Sequence, residues 1–366
     1  MHIVLLSARV PPCLDGVGDY SARLAEALMR KGVKVTLAFG TQRVWEVPVG
    51  VSVWPKAWTG GLFNAAHWRR GLQTLQPDAL VLQYVPHAFQ QQGLPFFLPN
   101  LLRQARRLGI CTGVVFHEVH VRLREHLLYG LGQRWIARHI GKQANVRITS
   151  IPFYQQMLAA IGLDAHVLPV GANIDVHPPS PMEIALLRRH YFPGKTFIVS
   201  TFGRRDVRAL AAAVRQMPEA GLLVVGPSPW AKAPPYAHAT GYLPASDVCR
   251  WLRCGDVFAL PDPKAPDGTG GTSLKSGSLA AAFAAGLPVV GVEGDMIAPP
   301  LAHGENIWLV QQNTPRHWAE ALLHLRQQPD LRQTLARGGH ELYRQHLDWD
   351  VLATKLQHLL EAAAKG

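Results

Sequence analysis

A glycine-rich stretch with one lysine and several hydroxyl groups is the part of this sequence best suited to holding an anion. It spans Gly268–Gly291 and reads GTGGTSLKSGSLAAAFAAGLPVVG. Backbone amides at a glycine-rich turn and at a helix N-terminus can surround an anion, and Lys275 adds a positive charge. Ser273, Ser276 and Ser278 supply further donors. The stretch favours the phosphate-binding part of a nucleotide-sugar site; a glycine-rich surface loop before an ordinary core helix is the alternative.

A second group of polar residues follows predicted buried strands in the first half of the chain. Apolar, β-branched runs predict strands over His2–Ser7, Lys34–Phe39, Ala79–Tyr84, Cys111–Phe116, Val146–Ser150 and His166–Val170. Near their ends lie Gly16 and Gly18, Gln83 and Tyr84, His117 and Glu118, and Asn173. Ligands of open α/β sheets bind outside the carboxyl ends of the strands, so these residues are candidate ligand contacts.

The first elements predict a doubly wound fold. The first strand is followed by a glycine-containing loop, Pro11–Tyr20, a helix over Ser21–Lys31 and a second strand. The complete GxGxxG pattern is absent from this loop, which disfavours a dinucleotide.

A second α/β domain is predicted after a proline-containing linker within His177–Lys195. Its strands are expected at Thr196–Gly203, Leu222–Gly226, Val257–Pro261 and Pro288–Val292. Arg204 and Arg205 follow the first of these and, with Lys275, are candidates to stabilise a diphosphate leaving group. We expect domains over residues 1–175 and 176–346, and a helix within 347–366 that crosses back to the first domain.

The composition indicates a basic protein that acts in the cytoplasm. The chain has 366 residues, 48% of them hydrophobic, and a formal charge of +12. It has no apolar run of membrane-spanning length, no basic leader before its first strand, and four cysteines without a CxxC pair. The charge attracts phosphates, nucleic acid or anionic lipid alike. Because no nucleic-acid module is recognisable, no nucleic-acid partner is expected.

Two basic helices are predicted in the first domain, over Leu94–Leu108 and Arg124–Lys142. Their apolar and cationic faces suit either an anionic membrane surface, giving a peripheral location, or a solvated face packed on the sheet. The string Asp348-Trp349-Asp350 resembles a metal-binding motif but stands at a helix start, where aspartate is a natural cap, so no metal is expected.

Several motifs, in the same order, resemble those of the retaining glycosyltransferases of family 4. In the first half these are GVGDYSARLAEAL, QYVPHAF, FHE and LPVGANI, similar to a subgroup associated with lipopolysaccharide and exopolysaccharide synthesis. In the second half they are GYLPASDVCRWLRCGDVFALP, AAFAAGLPVVG and the closing DWDVLATKL. The resemblance therefore spans nearly the whole chain.

The resemblance implies the GT-B fold, with two Rossmann-like, doubly wound α/β domains facing a central cleft. It implies transfer of a sugar from a nucleotide sugar to a glycan or lipid-linked acceptor with retention of configuration, without metal or cofactor, in cell-surface polysaccharide biosynthesis. The expected donor contacts are Gly16, Gly18, Gly203, Arg204, Arg205, Tyr242, Leu243, Thr272, Ser273, Lys275, Gly277 and Ser278. The expected acceptor contacts are Asp19, Tyr20, Gln83, Tyr84 and Asn173. His117 and Glu118 are the expected catalytic residues.

The sequence departs from the family pattern at the donor loop. Family 4 usually has two glutamates eight positions apart, and the matching positions here are Ser273 and Ala281. The usual arginine and lysine after the first donor-domain strand become GRRDVR, in which Arg204 matches the arginine and Arg205 or Arg208 replaces the lysine. A nucleotide-sugar epimerase and a non-catalytic nucleotide- or glycan-binding relative are therefore alternative functions, with nucleic-acid binding a distant third.

Overall fold

The computed structural model describes residues 1–40, 46–58, 64–120, 127–177, 179–265 and 268–365. The chain divides into two compact units. Unit 1 comprises Met1–Pro169 with Trp349–Gly366, and unit 2 comprises Val170–Asp348. The division falls six residues before the expected position 175, because this segment bonds to unit 2: the Val170 amide donates to the Leu274 carbonyl at 3.0 Å.

Unit 1 is built on a seven-stranded parallel sheet with the order β3-β2-β1-β4-β5-β6-β7. Its strands are β1 (His2–Leu6), β2 (Lys34–Ala38), β3 (Ser52–Trp54), β4 (Ala79–Tyr84), β5 (Cys111–Phe116), β6 (Val146–Thr149) and β7 (His166–Val167). Its helices are α1 (Gly16–Arg30), α2 (Ala65–Leu75), α3 (Pro86–Phe89), α4 (Leu98–Arg107), α5 (Leu127–Gln143) and α6 (Pro152–Ala159). The central strands β1, β4 and β5 are buried along their whole length, as expected for a parallel sheet with helices on both faces.

Helix α1 begins five residues before the predicted start at Ser21. Asp15 is the reason, because its carboxylate accepts from the amides of Val17 and Gly18 at 3.0 and 2.8 Å and caps the helix there. The predicted glycine loop therefore contains the first helical turn. Residues 124–126 of the predicted second basic helix lie outside the described part of the chain.

Unit 2 is built on a six-stranded parallel sheet with the order β10-β9-β8-β11-β12-β13. Its strands are β8 (Phe197–Phe202), β9 (Ala220–Val225), β10 (Ala237–Ala239), β11 (Val257–Leu260), β12 (Val289–Val292) and β13 (Trp308–Val310). Its helices are α7 (Pro181–Tyr191), α8 (Arg208–Arg215), α9 (Ala245–Leu252), α10 (Gly277–Ala284), α11 (Pro315–Gln327) and α12 (Pro329–Leu342), the last followed by a π-helical turn, Tyr343–Leu347. The core on one face joins these strands to the buried Trp318, Leu322 and Leu325 of α11.

The last helix, α13 (Trp349–Lys365), belongs to unit 1. Leu352, Leu356 and Leu360 are fully buried at helical spacing, and the Trp349 ring meets the Tyr20 ring of α1 at 5.1 Å. In the described residues we find no helix long and apolar enough to span a bilayer.

Candidate functional site

The loops that follow β8, β9 and β10 meet at the carboxyl edge of the unit 2 sheet. Gly203, with φ of +86°, ends β8, and its amide donates to the Val225 carbonyl at 3.0 Å. Gly226 follows β9; its amide donates to the Thr240 hydroxyl and its carbonyl accepts from the Gly241 amide. The neighbouring Tyr242 is 62% exposed and Leu243 is half-buried. Tyr242 and Leu243 thus lie next to the β9 loop, on the sheet edge where a parallel α/β fold binds ligands.

The N-terminus of α10 lies at this edge, against the β8 loop. Ser276 caps the helix by accepting from the Leu279 amide, and the Ser278 hydroxyl donates to the Phe202 carbonyl at 3.3 Å. A β-carbon on Gly277 would lie 3.7 Å from the Asn173 carboxamide nitrogen. Asn173 therefore belongs to unit 2 and stands beside the α10 N-terminus, whereas the sequence placed it with the acceptor residues of the first domain.

The two adjacent arginines after β8 have different environments. Arg205 forms an ion pair with Asp262, donates to the Phe202 carbonyl at 3.0 Å, and donates to the Ser276 hydroxyl at 3.3 Å. Both members of the pair are largely buried, with 16% and 14% of their side chains exposed. Arg204 is exposed and has no ion pair or side-chain hydrogen bond within the described residues. Arg204 is therefore available to a ligand, whereas Arg205 connects the β8, β11 and α10 loops. Asp262 was not predicted as a partner of Arg205. The two residues are 57 positions apart in the sequence, and only the fold brings them together.

Other residues of the glycine-rich stretch have structural contacts. Thr272 is fully buried and its hydroxyl accepts from the Val292 amide at 2.9 Å, which attaches the loop to β12. Ser273 is also buried, and its carbonyl accepts from the Ser276 amide at 3.1 Å. Lys275 is half-buried between them and the helix. Ala281 is fully buried inside α10, so both positions that correspond to the family 4 glutamates are inaccessible to solvent.

In unit 1, His117 and Gln83 form a hydrogen-bonded pair at the carboxyl ends of β5 and β4. The His117 Nε2 atom lies 2.8 Å from the Gln83 Oε1 atom, and the Tyr20 ring meets the imidazole edge-on at 4.7 Å. Burial lowers the pKa of His117 to about 4, so the ring is neutral at pH 7. A carboxamide oxygen only accepts, so Nε2 donates the proton and Nδ1 is left as an acceptor.

Four buried polar atoms, one of them on Gln83 itself, lack hydrogen-bond partners among the described residues at this end of the sheet. They are the hydroxyls of Ser7, Tyr20 and Ser150 and the Gln83 amide nitrogen. The sheet register pairs Leu6 with Leu82 and Phe116 with Thr149, so Ser7 and Ser150 follow at the levels of Gln83 and His117. We call Ser7, Tyr20, Gln83, His117 and Ser150 the polar row. Ser7 and Ser150 were not predicted as site residues, although each is the last residue of a predicted strand.

Tyr84 and Glu118 do not join the polar row. Side chains alternate along a strand, and Tyr84 packs at 5.4 Å on Phe116, on the sheet face opposite Gln83 and His117. Burial, with a contribution from Glu118, raises the pKa of the Tyr84 phenol. Glu118 itself is exposed.

The N-terminus of α1 carries two carboxylates. Asp15 occupies the Val17 and Gly18 amides, and burial, with the Asp15 charge, raises the pKa of Asp19 to about 6. A β-carbon on Gly18 would lie 3.0 Å from the Arg9 carbonyl oxygen, so Gly18 allows close packing on the loop after β1. Gly16 and Gly18 were expected to approach the donor phosphates or the acceptor, and the two carboxylates beside them disfavour a phosphate by charge repulsion.

The residues that the sequence selected thus form two groups. In unit 2, Gly203, Arg204, Arg205, Tyr242, Leu243, Lys275, Gly277, Ser278 and Asn173 share one sheet edge; in unit 1, Tyr20, Gln83 and His117 lie together. No cluster of three or more potential metal ligands occurs in the ranges that the structure describes. Asp350, from the Asp-Trp-Asp string, pairs with Arg30 at 2.8 Å.

The amino-acid sequence is similar to a family of known proteins and to one curated relative. Residues 200–328 match the family model described as "Glycosyl transferases group 1". The phosphatidyl-myo-inositol mannosyltransferase of Mycobacterium leprae (strain TN) is 26% identical over 277 residues, which cover 70% of this chain and 69% of that protein.

Two solved structures extend the likeness to the whole fold. The sucrose-phosphate synthase of Thermosynechococcus elongatus aligns with a TM-score of 0.74 at 18% identity, covering 99% of this chain and 98% of that one. The Anabaena protein Alr3699/HepE, solved with UDP and glucose, aligns with a TM-score of 0.73 at 14% identity, covering 98% and 99% of the two chains. At these identities the likeness establishes the two-domain fold.

Proposed function

We propose that this chain, a glycosyltransferase of the GT-B fold and the family 4 type, transfers a sugar with retention of configuration from a nucleoside diphosphate sugar to a glycan or lipid-linked acceptor. The observation that carries the proposal is the convergence of Arg204, the β8 loop and the α10 N-terminus at one edge of unit 2. The UDP in the Anabaena structure supports a uridine nucleotide as the first donor to test.

The donor diphosphate would be held by unit 2. The C1–O bond to the diphosphate breaks during transfer, and negative charge accumulates on the departing oxygen. Arg204 and Lys275 would stabilise that charge, together with the amides of the α10 N-terminus. Arg205 already has a carboxylate partner in Asp262, so its role would be to fix the loop. In this proposal, cationic side chains and a helix N-terminus stabilise the charge without a metal.

The acceptor and the transferred sugar would be contacted by the polar row of unit 1. A buried polar atom without a partner costs about 1–3 kcal/mol, and sugar hydroxyls both donate and accept hydrogen bonds. Neutral His117 can accept from a sugar hydroxyl through Nδ1, while the Gln83 amide and the Ser7 and Ser150 hydroxyls can bind further oxygens. The acceptor oxygen forms the new bond to C1, and its proton passes to the departing phosphate. We place this activity in cell-surface polysaccharide synthesis, in the cytoplasm and peripherally at the membrane.

The donor site is tested by thermal unfolding in the presence of UDP, GDP, ADP and their sugars. A ligand at 100 times its dissociation constant stabilises the folded state by about 2.7 kcal/mol. We expect one nucleotide to raise the Tm of the wild type, and Arg204→Ala and Lys275→Ala to weaken its binding about 10- to 100-fold, as expected for loss of a charge-assisted bond. Arg215→Ala, at the far end of α8, is the charge-matched control. Equal weakening in all three variants, or no shift of the wild type at millimolar nucleotide, contradicts the proposal.

The acceptor side is tested by product analysis with glycan and lipid-linked acceptors. Gln83→Leu removes the carboxamide at nearly constant volume, so we expect at least tenfold slower transfer with unchanged nucleotide binding. Anomeric NMR of the product reports retention or inversion. Conversion of the sugar nucleotide without an acceptor would instead identify an epimerase. Nucleotide binding with no product from any acceptor would favour the non-catalytic alternative.

A further inference from the structure

Helix α5 exposes a continuous stripe on the surface of unit 1. Leu131, Trp135, Arg138 and Lys142 follow one another at intervals of four, three and four residues and are all exposed, Leu131 by 49% and Trp135 by 47%. Residues at this spacing lie on one side of a helix. The outward face of α5 is therefore apolar at its N-terminal end and cationic at its C-terminal end.

An aromatic side chain outside α5 enlarges the apolar end of this stripe. Phe96, just before α4, is 55% exposed and its ring lies 5.8 Å from the Trp135 ring. We call Phe96, Leu131 and Trp135 the aromatic pole. Large apolar side chains that are neighbours at the surface indicate an interaction site more strongly than scattered ones do.

Helix α4 enlarges the cationic end. Arg103, Arg106 and Arg107 are exposed, and the Arg106 guanidinium donates to the Lys142 carbonyl at 3.3 Å, which places the C-terminal ends of the two helices side by side. We call Arg103, Arg106, Arg107, Arg138 and Lys142 the cationic pole. Residues 79–163 contain only two acidic residues, Glu118 and Glu125, and the sequences of α4 and α5 contain none. The positive charge of this surface is thus not neutralised by carboxylates of its own helices.

The aromatic pole lies toward the polar row. Helices α4 and α5 follow strands β4 and β5 in a parallel sheet, so each begins near the carboxyl end of its strand and runs back. Gln83 and His117 mark those strand ends. A surface that binds at the aromatic pole is therefore near the edge of unit 1 where the acceptor is proposed to bind.

We propose that the aromatic and cationic poles of α4 and α5 are a docking surface for an anionic lipid bilayer. Tryptophan favours the boundary between headgroups and acyl chains, and arginine and lysine are attracted to anionic headgroups. The long cationic side chains adapt to mobile headgroups without requiring a fixed carboxylate pattern on the partner. The proposal gives a physical basis to the peripheral location proposed above, and its test requires no nucleotide sugar, so it can fail or succeed independently of sugar transfer.

The test is flotation of the purified full chain with vesicles, without donor or acceptor. We expect binding to phosphatidylcholine vesicles that contain phosphatidylglycerol, weakening as salt is raised, and little binding to pure phosphatidylcholine. Replacing Arg103, Arg106 and Arg107 by alanine should reduce partitioning about fivefold per charge, on the order of 100-fold in all. The control variant Arg189→Ala, Arg215→Ala, Lys232→Ala removes the same charge from exposed positions of unit 2.

The aromatic pole is tested by Phe96→Ser with Trp135→Ser, which should remove the binding that persists at high salt. Circular dichroism and thermal unfolding check that all variants fold, as expected for exposed positions. Absence of wild-type binding to the anionic vesicles overturns the proposal, as does equal loss in the unit 2 control. A wild-type dimer that the aromatic double variant dissociates also overturns it, because a second copy of the chain would then cover this surface.

Discussion

Two adjacent arginines that look equivalent in the sequence are distinguished by their partners. The string GRRDVR offers Arg204 and Arg205 equally, and both are suited to phosphate. In the folded unit, Arg205 is held by Asp262, Phe202 and Ser276, while Arg204 remains exposed. Both residues are candidates on charge alone, and only the tertiary contacts show that Arg205 fixes the loops while Arg204 is left available to a ligand.

The two arginines should separate in a stability measurement. Arg205→Ala leaves Asp262 largely buried without its partner and should lower the free energy of unfolding by about 3 kcal/mol, the cost of breaking a buried ion pair. Arg204→Ala should change it by less than about 0.5 kcal/mol, as usual for a surface substitution. Urea unfolding measures both. Asp262→Ala combined with Arg205→Ala should destabilise less than the sum of the single changes; additive effects would contradict the assigned pairing.

At the scale of single elements, helix α1 combines a favourable and an unfavourable carboxylate. Asp15 is the N-cap and accepts two amide hydrogens. Asp19, one turn later, has its pKa raised to about 6 by burial and by the Asp15 charge. An aspartate whose folded pKa exceeds its unfolded value stabilises the fold at low pH, and this contribution is lost as pH rises from about 4 to about 6.

The two aspartates should therefore respond oppositely to substitution. Asp19→Asn cannot ionise, so its stability relative to wild type should rise through pH 4–6 and reach about 1 kcal/mol at pH 8, after allowance for solvent screening. Asp15→Ala should cost about 1 kcal/mol through loss of the cap. Urea unfolding between pH 4 and 8 measures both effects. Asp15→Asn keeps a capping side chain but removes the charge, so it should lower the pKa of Asp19; a pH-independent Asp19→Asn effect would contradict the charge argument.

At the scale of the whole molecule, the architecture could be predicted from the hydrophobic runs and the order of the motifs in the sequence. Buried runs such as ALVLQY and CTGVVF indicate parallel strands, and the motif order indicates two α/β domains of the GT-B type. The start of α1 was predicted wrongly because Asp15 as a cap was not recognised. The edge of unit 2 that carries the proposed donor residues was predictable as a region, since parallel strands place their carboxyl ends together.

The composition of the polar row was only partly predictable. Its members lie in α1 and β4 and directly after β1, β5 and β6, and their proximity depends on strand order and register. Periodicity along one chain does not reveal which strand lies beside which. The opposite faces taken by Gln83 and Tyr84 follow from alternation and were accessible to sequence reasoning, whereas the Arg205 to Asp262 pairing requires the sheet order of unit 2.

Unit 1 is interrupted by unit 2, and this has a consequence for biosynthesis. A ribosome completes residues 1–169, then all of unit 2, before it makes α13. Until then, the surface that Leu352, Leu356 and Leu360 cover is open, and the Tyr20 ring lacks its Trp349 neighbour. Unit 2 holds its whole sheet in one uninterrupted segment and can fold before α13 is made, whereas unit 1 leaves apolar surface exposed until the last residues are synthesised. Such surface is prone to aggregation, so the N-terminal part of the nascent chain is the more vulnerable one.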